Sequence, residues 1–170
     1  SLTMTHKNFD GQVPPAADLD DTDRAMLDAI PEQVDAIAEA LEGFRFRQAL
    51  ERFIELGRKG NVYFDTRQPW VTRKTDLART GATLYVCCQT VHALCRAMVP
   101  FLPGGAAKLA AILNLDLPAG GPEGGADGWA AAKDPLASGA PIAKPKVLFP
   151  KLDPDRIAEL ADAHQRGEAF

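Results

Sequence analysis

The chain has 170 residues, 46% of them hydrophobic and 25% charged, with 19 Lys and Arg against 23 Asp and Glu for a formal net charge of −4. Such values exclude a disordered chain, and the length suits one domain with an appended segment rather than two full domains. No apolar run reaches the roughly 20 residues of a membrane span, and residues 1–20 lack the basic start and apolar block of a signal peptide.

The chain opens at Ser1 in mid-pattern, which reads as part of something longer. Residues 1–9 read as the last turns of a helix, closed by Asp10-Gly11. Val13-Pro14-Pro15 then forces an extended connection. A helix begins near Asp20-Asp21-Thr22-Asp23, whose short oxygen-bearing side chains cap free backbone amides. Its apolar positions Met26, Leu27, Ile30, Val34, Ile37 and Leu41 keep a helical rhythm. Pro31 inside it must either kink it or start a second helix.

Over residues 46–68 the stripe Phe46, Leu50, Phe53, Gly57, Gly60, Phe64 defines one face of a long helix ended by Pro69. Two glycines on that face, each unfavourable by up to about 1 kcal/mol relative to Ala, predict close approach by another helix. The next helix, residues 76–102, is apolar on nearly all sides and belongs in the middle of a bundle, with Gln89, His92 and Arg96 marking its wetter side. Pro103-Gly104-Gly105 breaks it, and residues 106–115 make a short further helix. Residues 118–128 read as a Gly- and Pro-rich loop, and residues 139–152 as extended chain with the apolar segment Val147-Leu148-Phe149. Asp153-Pro154 starts a last helix through about Arg166. The expected fold is therefore all-α: an antiparallel bundle of about five helices over residues 1–117, the loop 118–128, and an irregular C-terminal extension over 129–170.

Charge is segregated along the chain. Residues 1–42 hold ten acidic and two basic side chains, net −8, whereas residues 43–79 hold nine basic and four acidic, net +5. Two readings stand: a polyanion contact confined to the basic stretch, or helix faces neutralised by the acidic segment. The three cysteines, Cys87, Cys88 and Cys95, fall on one predicted helix. Cys88 and Cys95 are two turns apart there, about 10 Å along the axis, beyond disulfide reach. Reduced thiols of a cytoplasmic protein are the natural reading. Cys88, His92 and Cys95 share a helical face, but zinc sites draw on properly spaced ligand pairs and the chain has no CxxC. Small thiols buried in a core are therefore expected, with no metal. No GxSxG and no phosphate loop between strand and helix is present.

One local pattern stands out, the run from Arg58 through Gly60-Asn61-Val62-Tyr63 to Pro69-Trp70. Pro69 fixes the chain direction and places Trp70 at a helix terminus, with Arg67, Arg73 and Lys74 around it. An aromatic platform beside cations suits an unstacked RNA base with its phosphates held alongside. The same Trp could equally plug the bundle's end.

Gly60-Asn61-x-Tyr63 followed by Pro69-Trp70 resembles the anticodon-binding domain of methionyl-tRNA synthetase, a class Ia aminoacyl-tRNA synthetase. Asn8-Phe9-Asp10-Gly11-x-Val13-Pro14 resembles that family's turn after the domain's first helix. Val99-Pro100-Phe101-Leu102-Pro103 resembles a helix end of the family, and Trp129 with Ile142-x-Lys144-Pro145-x-Val147-Leu148-Phe149-Pro150-Lys151-Leu152 resembles its C-terminal segment. These matches cover nearly the whole chain in the right order. The resemblance implies that Trp70 stacks on an anticodon base and that Lys74 lies near the anticodon, with Pro69, Arg73, Arg67 and Asn61 as further tRNA-binding candidates. The family's Asn and Arg readers on the first helix fall before Ser1. Its signatures His-Ile-Gly-His and Lys-Met-Ser-Lys-Ser are absent, as is its zinc knuckle. The resemblance thus implies recognition of the CAU anticodon of tRNA(Met), without catalysis by this chain. The catalytic domain of the same enzyme would be a second partner, against which or against the bundle the extension packs, and neither DNA nor a membrane is one. It implies no cofactor here, since ATP with magnesium, and zinc through the knuckle, belong to the catalytic part. The alternatives are a helical scaffold or adaptor without RNA binding, and the equivalent domain of another class Ia synthetase such as leucyl or valyl.

Overall fold

A computed structural model describes residues 1–117, 126–151 and 153–166. Its regular elements are α1 (Leu2–Asn8), α2 (Asp21–Glu42), α3 (Phe46–Arg67), α4 (Pro69–Thr72), α5 (Leu77–Ala97), α6 (Pro103–Leu113), α7 (Ala126–Lys133) and α8 (Pro154–Gln165). The fold is all-α as expected. Residues 1–117 hold six helical segments against about five expected, the addition being the four-residue α4; beyond them α8 is the expected last helix and the eight-residue α7 is new.

Side chains set most of the boundaries. Asp20 caps α2 through its carboxylate, which accepts from the amides of Thr22 and Asp23, while Asp23 reaches back to the Asp20 amide. Pro31 lies inside α2, which runs through it as one helix. Gln68 closes α3 at φ +46 and Pro69 opens α4. Asp76 caps α5 by accepting from the amide of Arg79. That helix ends at Ala97, five residues short of the expected 102, and Pro103 starts α6 rather than merely breaking the chain.

Asp23 near the start of α2 meets Tyr63 near the end of α3, so these helices run antiparallel. The central member is α5, whose residues from Thr80 to Thr90 are all buried against its neighbours. The expected face of α3 requires correction. The buried line is Ala49, Leu56, Tyr63, whereas Phe46 and Leu50 are exposed and Phe53, Gly57, Gly60 and Phe64 are half-buried flanks. Close approach holds at Gly60, where an added Cβ would lie 2.9 Å from Thr90 Cγ2, but not at Gly57, where nothing lies within 4 Å. The expected wetter side of α5 is also overturned. Gln89 is buried, and it donates to the Leu136 carbonyl and accepts from the Leu136 amide. His92 is buried too and accepts from Nε of Arg96 at 2.9 Å.

Residues 126–142 return to the bundle. Most of the loop 118–128 lies outside the described residues, and its last three positions are already the first turn of α7, which packs on α2 and α5. Residues 139–142 then bond residues 11–13 through Gly139 N to Val13 O, Val13 N to Ala140 O and Ile142 N to Gly11 O. Gly11 permits this at φ +68, a value that L side chains rarely adopt. Further on, Val147 and Phe149 are exposed while Leu148 packs on the core.

Candidate nucleic-acid interface

The Pro69-Trp70 step sits where α3 ends. A left-handed Gln68 reverses the chain, Pro69 is fully buried and anchors the turn, and Trp70 follows on a single helical turn. One face of the Trp70 indole rests on Phe64, with ring centroids 5.5 Å apart and planes inclined by 52°. The indole is nonetheless 39% exposed, so it covers the bundle's end without being sealed into it. Arg73 and Lys74 follow in the turn that links α4 to α5; both are exposed and neither has an ion-pair partner among the described residues. The backbone there is held by turn bonds, Arg73 N to Pro69 O and Asp76 N to Thr72 O, and by a 2.7 Å bond between the Thr72 and Thr80 hydroxyls.

Arg67 has a different environment from Arg73 and Lys74. Its guanidinium is turned into a buried cluster, bonded to Asp20 Oδ1 and 3.0 Å from Asp23 Oδ1, with its carbon 5.7 Å from the Tyr63 ring centroid. Only 17% of that side chain is exposed. Asn61 is exposed six residues earlier on α3, on the rim of a cavity of about 200 Å³ lined also by Ser1, Gly57, Gly60, Phe64 and Thr90. Trp70, Arg73 and Lys74 thus share the exposed segment between α3 and α5, whereas Asn61 lies apart on α3 and Arg67 is engaged in the ion pairs.

The carboxylates of that cluster were visible in the sequence only as a helix cap. Asp23 is fully buried and accepts from the Tyr63 hydroxyl at 2.6 Å, from Arg79 Nη2 and from the Asp20 amide. Arg79 also reaches Asp20 Oδ2 at 3.2 Å. Burial pushes the Asp23 carboxyl upward, but the Tyr63 and Arg79 hydrogen bonds outweigh it and hold the group below the ordinary carboxylate value. For Tyr63, burial and the Asp23 carboxylate push the phenol well up, so it remains a donor.

Charge segregation resolves residue by residue. Of the nine cations in residues 43–79, Arg45, Arg47, Arg67 and Arg79 are ion-paired. Arg52, Arg58, Lys59, Arg73 and Lys74 have no carboxylate in ion-pair range among the described residues.

The Cys and His face of α5 does not form a ligand set. Cys88 contacts the Thr5 hydroxyl, Cys95 faces the Ala106 carbonyl, and His92 already accepts from Arg96. Burial pushes the Cys87 thiol up to about 12 and those of Cys88 and Cys95 to about 11, and lowers His92 to about 4. Among the described residues no group of three or more His, Cys, Asp or Glu is placed to hold a metal ion, and no helix is long and apolar enough to cross a membrane.

Solved structures with this helical arrangement are aminoacyl-tRNA synthetase chains. The apo Mycobacterium tuberculosis methionyl-tRNA synthetase superposes with a TM-score of 0.79 at 29% identity, over 90% of this chain and 30% of that one. The same enzyme bound by methionyl-adenylate gives 0.77 over 88% and 29%. Among sequences, methionine–tRNA ligase of Pyrococcus abyssi is 37% identical over 157 residues, 92% of this chain and 20% of that protein. The Porphyromonas gingivalis ligase is 36% identical over 153 residues, 90% and 22%. With the family model matching residues 13–168, the chain belongs to the family of anticodon-binding domains of methionyl-tRNA ligase. It spans about a fifth of the length of these relatives.

Proposed function

We propose that this chain reads the CAU anticodon of tRNA(Met) for a methionine–tRNA ligase whose catalytic part lies outside it. The observation that carries the reading is Trp70, packed against Phe64 with part of its side chain open to solvent, in one short segment with Arg73 and Lys74, which have no ion-pair partner among the described residues. An open aromatic face accepts an unstacked base whatever its hydrogen-bonding edge, and adjacent cations meet the flanking phosphates. Residues 1–117 carry the recognition, with Asn61 as an outer contact. Residues 129–142 and Leu148 pack on the bundle, and the exposed Val147 and Phe149 are offered to the catalytic part. Attachment of methionine with ATP and magnesium, in the cytoplasm, is the work of the whole enzyme; this chain alone is inactive in it and needs no cofactor. Its partners are tRNA(Met) and that catalytic part, not DNA or a membrane.

The test is binding of RNA stem-loops at low ionic strength. Trp70→Ala costs about 1–3 kcal/mol of affinity for a CAU loop and erodes its preference over other anticodons. Lys74→Ala weakens all loops more evenly and reduces the salt dependence by about one counterion. A folded Trp70→Ala domain that binds the CAU loop unchanged leaves Trp70 as a structural plug and favours a scaffold without RNA binding.

A further inference from the structure

Arg67 and Arg79 flank the segment that carries Pro69, Trp70, Arg73 and Lys74, and both reach the same two carboxylates. Arg67 bonds Asp20 and lies 3.0 Å from Asp23. Arg79 bonds Asp23 and lies 3.2 Å from Asp20. Both carboxylates belong to the first turn of α2, an element outside the segment. The end of α3 and the start of α5 are therefore fastened to one point, and residues 68–78 are a loop closed at its base.

We infer that Asp20, Asp23, Arg67 and Arg79 form a charge staple that positions Trp70, with Arg79 as a positioning residue for anticodon reading that does not itself touch RNA. The inference rests on the function proposed above for Trp70. Three features support it. First, Arg79 spans the two carboxylates with separate nitrogens, Nη1 toward Asp20 and Nη2 toward Asp23, which fixes orientation as well as distance, whereas Arg67 meets both through Nη2 alone; a lysine ammonium lacks that planar fork. Second, the donors of Arg79 face inward: Nη1 is 3.3 Å from the Asp18 carbonyl and 3.2 Å from Asp20 Oδ2, and Nη2 bonds Asp23. Third, Tyr63 donates to Asp23 from α3, so that carboxylate is held independently of the two arginines. The Thr72–Thr80 hydroxyl bond adds a second tie across the same base. An aromatic platform gains affinity from being held in place before its base arrives, because ordering it on binding would subtract from the stacking energy.

The experiment uses the full chain with Trp129→Phe, which leaves Trp70 as the only tryptophan, and adds Arg79→Gln or Arg79→Lys. Folding is checked by far-ultraviolet circular dichroism, and the lysine variant serves if the glutamine variant unfolds. Trp70 emission and its quenching by acrylamide are compared with the Arg79 parent, without RNA. Separately, CAU loop affinity is measured for Arg79→Gln and Trp70→Ala, singly and combined. Both Arg79 variants are expected to change the emission maximum and raise the quenching. Trp70→Ala is expected to lose about tenfold or more in the parent but less than about twofold in the Arg79→Gln background, since the two residues act as one unit. A folded Arg79→Gln or Arg79→Lys chain with unaltered emission and quenching overturns the staple. So do additive losses with a weaker salt dependence, which would make Arg79 a phosphate contact. If the parent chain binds no loop at all, the anticodon reading fails, and the fluorescence comparison still decides whether Arg79 positions Trp70.

Discussion

Replacing Tyr63 by Phe removes one oxygen from the buried Asp23 cluster and little else. The ring keeps its place on α3 and its contact with Arg67, whose guanidinium carbon lies 5.7 Å from the ring centroid. What is lost is the 2.6 Å hydrogen bond from the phenol to Asp23 Oδ1. A hydrogen bond to a charged group contributes about 1.5–3 kcal/mol. Asp23 would retain Arg67, Arg79 and the Asp20 amide, so no bare charge is left and the loss falls near 1.5 kcal/mol, the lower end of that range. With a urea m-value of about 2 kcal/mol/M, the midpoint drops by roughly 0.7 M at neutral pH with m unchanged.

The pH dependence of that loss tests its cause. The folded-state pKa of Asp23 is depressed below the ordinary 3.8, so its stabilisation is complete above that value and disappears as pH falls through the folded-state value. The phenol contributes by stabilising the carboxylate form. The gap between the Tyr63→Phe chain and its parent is therefore full at pH 7 and narrows only as pH falls through the depressed folded-state values. Urea titrations at pH 7 and pH 3 measure both quantities. An unchanged midpoint at pH 7, or a deficit that grows on acidification, refutes the reasoning.

The glycines of α3 have opposite expected responses. Gly60→Ala drives a methyl against Thr90, whose hydroxyl is tied to the Val86 carbonyl, and should destabilise by about 1–3 kcal/mol. Gly57→Ala meets nothing within 4 Å and should stabilise the helix by about 0.5–1 kcal/mol. Thermal unfolding of the two variants decides both, and equal signs would contradict the packing described. Cys87, Cys88 and Cys95 are buried and their thiols are shifted upward, so native protein at pH 8 should react slowly with a disulfide reagent and release three thiols once unfolded. Rapid native reaction of any of them would show the core to be open there.

Helix ends are legible in the sequence where a single side chain stops or starts a helix by its own chemistry. Asp20, Pro69 and Asp76 each do so, and the observed boundaries follow them, whereas Pro103 opens α6 where the sequence suggested only a break. The face of α3 is less legible because two stripes with nearly the same period run side by side. The aromatic one, Phe46, Leu50, Phe53, Phe64, dominates a count of apolar residues. The seam that packs, Ala49, Leu56, Tyr63, contains a small residue and a hydroxyl-bearing one. Tyr63 belongs inside because a carboxylate on another helix receives its hydroxyl, a partner 40 positions away. Gln89 and His92 mislead for the same reason. Polar residues on a helix suggest a wet face, yet a distant backbone and a neighbouring arginine satisfy these two within the fold.

The candidate interface divides along the same line, between local and long-range interactions. The Pro69-Trp70 step is local: proline sets the turn and the next residue must emerge from it. The role of Arg67 is not, because its carboxylate partner is 47 positions away, and a cation near a tryptophan in sequence gives no indication that it points elsewhere. The charge blocks offered two readings, a polyanion contact and mutual neutralisation, and the structure separates the ion-paired cations from the unpaired ones. The acidic start of α2 neutralises Arg67 and Arg79. Arg73 and Lys74, lying between them in sequence, are left unpaired and exposed. A polyanion approaching Trp70 therefore meets the field of these two side chains at the turn, while the two arginines that bracket them add rigidity to the loop and almost no net charge.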